Sequence, residues 1–142
     1  MKEQNYKAHA RWVPIYHFIT GGLILAVLIG SIVNLVNSSQ ENLYSASLLV
    51  AVSLILVSLF WYARAFALRA QDRAIRAEEN FRHFVLTGKP MDHRLKMGQI
   101  IALRFCSDEE FSSLAQKAVD ENLKSYAIKS QIKIWRPDHH RV

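Results

Sequence analysis

Few side chains in this sequence have the type and spacing that chemistry requires. The single cysteine, Cys106, carries a thiol that could serve as a nucleophile or a metal ligand. It has no second cysteine at a CxxC spacing, so we interpret it as a small buried residue. His139 and His140 follow Asp138 near the end of the chain, and adjacent side chains do not converge on one metal ion.

Two further histidines lie on predicted helices. Glu79 and His83 are four residues apart and share a helical face, but without a third ligand we interpret them as a surface pair. His17 lies in an apolar run, where an ionisable group must be considered as a haem ligand or proton relay. The second apolar run has no histidine, so haem binding would require a homodimer, and we interpret His17 as a residue that reaches water at the interface.

Sequence motifs for catalysis are also missing. The chain contains no Walker A loop, no GxGxxG and no GxSxG. We therefore predict no catalytic residue, no cofactor-binding residue and no metal ligand, and we expect a protein that is not an enzyme.

The elements around these residues are dominated by two apolar runs, 15–36 and 43–63. As a helix rising about 1.5 Å per residue, either run can cross a hydrocarbon core of about 30 Å. Glu41, in the polar connector 37–42, is the only formally charged residue from 12 to 63. The short connector predicts an antiparallel transmembrane hairpin. A cleaved signal peptide is the alternative, but its apolar core would be shorter than the first run.

Positive charge predicts the orientation of this hairpin. The tail 1–14 holds three basic residues, the connector holds none, and the chain from Arg64 onward holds the other 15 of the 18. Lysine and arginine near span ends resist translocation, so both termini are predicted to be cytoplasmic. Aromatic residues mark the cytoplasmic ends of both spans, as an interfacial belt requires. These are Trp12, Tyr16, Phe18, Phe60, Trp61 and Tyr62.

Small residues recur at every fourth position of the first run. Gly22, Ala26 and Gly30 form a face against which another helix can pack closely. Ser47 and Ala51 offer a similar face on the second run. Two interpretations stay open: the small-residue face seats the hairpin on itself, or it contacts another membrane protein or a second copy of the chain.

The second span is predicted to continue into the cytosol as a stalk helix, residues 64–90. No glycine or proline occurs from Leu43 to Thr87, and Gly88 and Pro90 supply the stop. Apolar residues recur along the stalk at spacings of four and three, the heptad pattern of a helix that contacts another helix. This seam consists of Ala63, Ala67, Ala70, Ala74, Ala77, Phe81 and Phe84.

Arginines also lie along the stalk, at Arg64, Arg69, Arg73, Arg76 and Arg82. We interpret them as a solvated face that sets topology, and the alternative is contact of the first two with anionic lipid. Acidic residues among them dilute the positive field, so no nucleic acid is expected as a partner.

Residues 91–142 are predicted to form a small bundle of three helices. Ser107 is the expected N-cap of the second helix, in a capping box with Glu110, and Ser125 is expected to cap the third. The three helices lie from Met97 onward, and fewer than 50 residues make a marginal core, so the bundle is expected to pack on the stalk, on lipid or on a partner. The apolar positions are Met97, Ile100, Ile101, Leu103 and Phe105 in the first helix, Phe111, Leu114, Ala115, Ala118 and Val119 in the second, and Ile128, Ile132 and Trp135 in the third.

The third helix of this bundle also carries basic residues, Lys129, Lys133 and Arg136. Packing within the bundle is the preferred interpretation, with an interfacial helix on anionic lipid as the alternative. A helix-turn-helix DNA reader would need a more strongly basic recognition face.

Five stretches of the cytoplasmic half are distinctive: ARAFAL at 63–68, QDRAIRAEEN at 71–80, FVLTGKP at 84–90, QIIALRF at 99–105 and SDEEF at 107–111. The closing Trp135, Arg136, Asp138, Arg141 and Val142 belong with them. Together they resemble a bacterial family of small two-span membrane proteins of unknown function, whose members are sometimes labelled transporter permeases. The resemblance implies a bacterial inner-membrane setting and transfers no functional residue.

The sequence thus predicts an all-α membrane protein: a two-helix transmembrane hairpin over 15–63, a second helix extended into the cytosol, and a small C-terminal helical bundle. The expected function is that of a non-enzymatic accessory or interaction subunit that presents a basic helical domain at the cytoplasmic membrane face. The alternatives are a component of a transport or channel complex formed by oligomerisation, and a sensor of anionic lipid surfaces. Expected partners are the lipid bilayer and either a second copy or another membrane protein, and no cofactor is expected.

Overall fold

A computed structural model of the chain describes residues 13–137, and the fold is all-helical. The chain divides into two compact units, one within Arg11–Ala67 and the other from Leu68 onward, which we describe separately. A π-helix, Ile15–Thr20, leads directly into the α-helix Gly21–Val36, and we call the two together α1. The remaining helices are α2 (Leu43–Thr87), α3 (Met97–Leu103), α4 (Asp108–Asp120) and α5 (Ser125–Gln131).

Helices α1 and α2 have the length and composition that a membrane span requires. Pro14, which has no backbone N–H to leave unpaired, lies directly before the first helical turn. Helix α2 is uninterrupted over 45 residues, as the absence of glycine and proline predicts. Most of the large apolar side chains of both apolar segments are exposed rather than packed inside the protein.

The two helices of the first unit contact each other at two levels. The Tyr16 ring stacks on Phe60 with centroids 4.4 Å apart, and its hydroxyl donates a hydrogen bond to the Phe60 carbonyl. Further along, the hydroxyls of Ser31 and Ser53 lie 3.1 Å apart, and these residues are only 7% and 1% exposed. Tyr16 and Phe60 therefore lie at the same level of the hairpin, as predicted, while their place in an interfacial belt stays a prediction.

The small-residue face of α1 does not make this contact. A Cβ atom added at Gly22 or Gly30 would meet nothing within 4 Å, and Ala26 is exposed. The contact instead includes Gly21, where an added Cβ would lie 3.4 Å from the Phe60 ring. One residue is about 100° of helical turn, so the interpretation that Gly22, Ala26 and Gly30 seat the hairpin on itself is wrong. Their contact with another chain stays a prediction.

The stop after α2 is formed as the sequence predicts. Gly88 has a φ of +72°, a left-handed conformation that glycine adopts without strain, and its N–H donates to the Phe84 carbonyl at 2.8 Å.

The second unit has one hydrophobic core, to which α2, α3, α4 and α5 all contribute. Ile75 of α2 is 4% exposed and belongs to this core, so the bundle packs on the stalk, one of the expected supports. The other buried members are Leu95, Ile100, Ala102, Leu103, Cys106, Phe111, Leu114, Ala115, Ala118 and Ile128.

The predicted third helix of the bundle is shorter in the structure. Helix α5 ends at Gln131, and Ile132 is already extended. Trp135 forms an antiparallel bridge with Cys106, and its ring stacks on Phe105 with centroids 4.8 Å apart. Placing Trp135 on a helix was therefore wrong, because backbone pairing and aromatic stacking draw this segment against the core.

Two predicted helix caps also differ from the structure. Ser107 is the N-cap of α4, but its hydroxyl makes no capping hydrogen bond, and the Glu110 carboxylate lies 3.3 Å from the backbone N of Lys133 instead. Ser125 is the first residue of α5 rather than its cap, and its hydroxyl donates to the Gly98 carbonyl at 2.8 Å. The side chains of Glu110 and Ser125 thus each contact a part of the bundle that is distant in the sequence.

Candidate functional site

Arg82 is the centre of a charged cluster between α2 and the start of α4. Its guanidinium donates to the Glu79 carboxylate at 3.0 Å, to the Asp108 carboxylate at 2.7 Å and to the Cys106 carbonyl at 2.8 Å. It also lies over the Phe111 ring, 4.4 Å from the centroid. The side chains of Arg82 and Glu79 are only 11% and 9% exposed.

Both charge pairing and desolvation act on this cluster. Burial disfavours the charged guanidinium, but the hydrogen bonds to Asp108 and Glu79 outweigh it and raise the pKa of Arg82 above its ordinary value. The acidic first turn of α4, which includes Asp108, also suits the positive end of the helix dipole. The cluster therefore fastens α4 to α2.

This arrangement corrects two interpretations from the sequence. Arg82 is not part of a solvated face, and Glu79 is buried and paired with Arg82 rather than with His83. The Nδ1 atom of His83 lies 2.9 Å from the Lys89 carbonyl oxygen. The sequence carries one signal of this buried face, because the spacing of Ile75, Glu79 and Arg82 places them on the same side of a helix.

Cys106 is fully buried, in agreement with its interpretation as a small core residue. Its Sγ atom donates to the Leu103 carbonyl at 2.8 Å. Burial raises the pKa of this thiol to about 12, so the reactive thiolate is scarce at neutral pH.

We expect Cys106 to resist alkylation in the folded chain. Because the thiolate reacts and its pKa is about 12, labelling by a maleimide at about pH 8 should be about a thousandfold slower than for a free cysteine. The measurement is mass spectrometry of the labelled chain over time. Denaturation should restore rapid labelling, and fast labelling without denaturant would contradict the buried position.

From Ala70 to Phe84 the seam of α2 is turned away from Ile75, which packs into the core of the bundle, although Ala77 also borders a cleft with Leu95 and Ile100. With about 100° of turn per residue, Ala77 and Ile75 project in widely separated directions. Ala70, Ala74 and Ala77 are exposed, and Phe81 and Phe84 are 68% and 52% exposed. Ala63 is also exposed and Ala67 is half-buried. Contact of this seam with another chain stays a prediction.

The basic residues that the lipid alternative assigns to the third helix of the bundle do not lie on one helix. Lys129 is on α5 with its Nζ atom 5.5 Å from the Phe105 ring centroid, whereas Lys133 and Arg136 follow the end of that helix. Arg136 lies 4.0 Å from the Asp108 carboxylate. Arg69 is exposed and Arg64 is half-buried. The prediction that Lys133 and Arg136 share a helical face with Lys129 is therefore wrong. Contact of these residues with lipid stays an alternative.

Within residues 13–137 no group of three or more His, Cys, Asp or Glu side chains is placed to hold a metal ion. Asp138, His139 and His140 lie outside this range. A shallow cleft of about 600 Å³ includes His83, Asp92 and His93. Arg94 donates hydrogen bonds to the Asp92 carboxylate and lowers its pKa to about 2, so this carboxylate is already engaged.

His17 lies close to the backbone of its own helical turn. Its Nδ1 atom is 3.2 Å from the Val13 backbone N, and its ring meets the edge of Tyr16 at 5.3 Å between centroids. These are local contacts within the first unit.

Comparison with known proteins assigns the chain to a family. No curated protein and no solved structure matched the chain. A family of unknown function, DUF6526, matched residues 1–142. This match covers the hairpin, the stalk and the bundle alike, in agreement with the resemblance to a family of unknown function. The chain therefore belongs to the DUF6526 family.

Proposed function

We propose that this protein is a non-enzymatic subunit of the bacterial inner membrane that works by contacting other membrane proteins. In this proposal α1 and the first part of α2 span the bilayer with both termini in the cytosol. The rest of α2 and the bundle form a helical domain at the cytoplasmic face.

The membrane part of the proposal is supported by the exposed side chains of α1 and α2. Large apolar residues such as Leu25, Ile29 and Ile55 are more than half exposed, and soluble monomers rarely expose continuous apolar patches of more than a few hundred Å². Polar groups in the apolar segments are satisfied internally, as hydrocarbon requires. The hydroxyls of Ser31 and Ser53 each donate to a carbonyl of their own helix at 2.8 Å.

The interaction part rests on one observation, the exposed seam on the side of α2 that does not hold the bundle. Phe81 and Phe84 are exposed on it, although α2 has the opposite face on which to bury apolar residues. Exposed aromatic residues at heptad spacing are typical of a surface that another helix covers. The described residues offer no comparable convergence of catalytic groups.

The test is the mass and composition of the native complex. Membranes carrying the chain are extracted in a mild detergent, and the complex is purified and analysed by native mass spectrometry. We expect either a homo-oligomer or co-purified subunits. An isolated monomer, together with no partner after crosslinking in native membranes, would reject the proposal.

A second candidate is a transport or channel complex formed by oligomerisation. The observation that favours it is the exposed small-residue face at Gly22 and Gly30, which leaves room for a second hairpin to approach closely. The spans 15–36 and 43–63 contain no Asp, Glu, Lys or Arg that would line a selective pore, which argues against this function. Ion flux through reconstituted liposomes distinguishes it from the subunit proposed above.

A further inference from the structure

Residues 70–84 of α2 carry two faces that point in different directions. The face with Ile75 packs into the core of the second unit, and Ile75 is 4% exposed. The other face consists of Ala70, Ala74, Ala77, Phe81 and Phe84, all of them exposed. Because α2 is already anchored to its own chain through Ile75, the apolar side chains of the exposed face are not needed for packing within the chain.

The charged residues beside the exposed face match a second copy of the same helix. In heptad terms Ala70, Ala77 and Phe84 are d positions, and Ala74 and Phe81 are a positions. Arg73 is then a g position and Glu78 is the following e position, and both are exposed. In a parallel pair of helices a g residue meets the e residue five positions later on the other helix.

Parallel pairing also follows from the membrane orientation, so this step rests on the proposed function. Two copies inserted in one bilayer with the same topology must have their α2 helices running in the same direction. In that arrangement Arg73 of each copy faces Glu78 of the other, which gives two ion pairs of opposite charge. Alanine at Ala70, Ala74 and Ala77 lets the helices approach closely, and Phe81 and Phe84 contribute the larger apolar area.

We propose that this surface binds a second copy of the chain, in a parallel helix pair over residues 70–84 with Arg73 of each copy paired to Glu78 of the other. The contact specifies orientation through charge and spacing more than through buried area.

Cysteine crosslinking in native membranes tests the geometry. Ala70→Cys and Ala77→Cys lie seven residues apart on the same face, and in a parallel pair each should form a disulfide with its own equivalent under mild oxidation. An antiparallel pair would allow at most one of them to do so. Arg76→Cys is the matched control, because it is exposed on α2 but away from the seam. Natural Cys106 is buried and should contribute no crosslink.

Charge reversal tests the ion pairs, with the Ala77→Cys chain as the reporter. Arg73→Glu brings two pairs of like charges together. We therefore expect the ratio of crosslinked dimer to monomer at low salt to fall by about tenfold. Adding Glu78→Arg restores opposite charges in both pairs and should recover the crosslink. Equal crosslinking in all three chains, or a double variant as weak as Arg73→Glu, would overturn the ion pairs.

The outcomes separate this inference from the proposed function. The parallel pair is overturned if neither Ala70→Cys nor Ala77→Cys forms a crosslink. It is also overturned if Arg76→Cys crosslinks as strongly as they do. If the native complex then contains other proteins, the proposed function stands and only the second copy is rejected. If the chain is a monomer with no partner, both are rejected.

Discussion

Replacing Arg82 by alanine is expected to destabilise the second unit by about 3–5 kcal/mol, the usual cost of breaking a buried ion pair from one side. The Glu79 carboxylate, with a side chain 9% exposed, would lose its cation and stay buried. The Cys106 carbonyl and the Phe111 ring would lose the guanidinium as well. The measurement is hydrogen exchange of the full chain in nanodiscs, where amides of α3 and α4 should exchange about a hundredfold faster or more.

Two further variants make this prediction specific. Arg76→Ala removes an exposed arginine from the same helix and should change stability by less than about 0.5 kcal/mol. Adding Glu79→Gln to Arg82→Ala removes the uncompensated charge and should recover part of the lost stability. If Arg82→Ala behaves like Arg76→Ala, the cluster does not fasten α4 to α2.

Phe111→Ala is expected to have a similarly large effect by a different mechanism. The Phe111 side chain is fully buried in the core, and its removal leaves a cavity that typically costs about 3–5 kcal/mol. Cys106 is a built-in probe, because its thiol is buried and becomes reactive only when the bundle opens. In a urea titration followed by thiol labelling, we expect the midpoint to fall by more than about 1 M.

The neighbouring Ser112→Ala is the control for this substitution, since Ser112 is exposed on the same helix and should leave the midpoint almost unchanged. A midpoint for Phe111→Ala equal to that control would show that α4 does not depend on its core side chain. Because Arg82 lies over the Phe111 ring, the losses from Arg82→Ala and Phe111→Ala should not be additive.

The features that the sequence predicts well are those that depend on local chemistry. The absence of glycine and proline after Leu43 predicts one long helix, and α2 ends at Thr87, directly before Gly88. The first apolar run predicts a helix over 15–36, which are the bounds of α1, and burial of Cys106 agrees with its interpretation as a solitary cysteine without a CxxC partner. Each depends on one segment and its neighbours, and none requires the position of a distant part of the chain.

The features that it misses depend on which face of a helix meets another. Glycine spacing favours Gly22 and Gly30, but the hairpin contact lies about 100° away, at Gly21. Ser31 and Ser53 pair across the hairpin although they are 22 positions apart, and their only signal is a hydroxyl in an apolar segment. Glu79 looks solvated from the sequence, because it is only when α4 packs on α2 that Asp108 reaches its partner Arg82 and the cluster is buried.

Most of the charged cluster around Arg82 cannot be predicted from the sequence for the same reason. Arg82 belongs to a row of arginines, and only its spacing from Ile75 and Glu79 on one helical face distinguishes it locally from Arg76. The distinction arises when Asp108 and Phe111, on another helix, come close to its guanidinium. Trp135 is a comparable case, because its stacking on Phe105 replaces the helical continuation that its apolar spacing predicts.

The serine pair of the hairpin has a consequence for how firmly α1 and α2 are fixed to each other. Each hydroxyl has one proton, and each already donates it to a carbonyl of its own helix, Ser31 to Leu28 and Ser53 to Val50. A bond across the 3.1 Å between the two oxygens therefore requires one hydroxyl to rotate away from its carbonyl, and either serine can do so. The hydrogen bond across the hairpin can thus have either serine as its donor. In both arrangements each hydroxyl proton has an acceptor. If the two oxygens move apart, each hydroxyl can still donate to the carbonyl of its own helix, so losing the contact leaves no unpaired proton in the apolar segment.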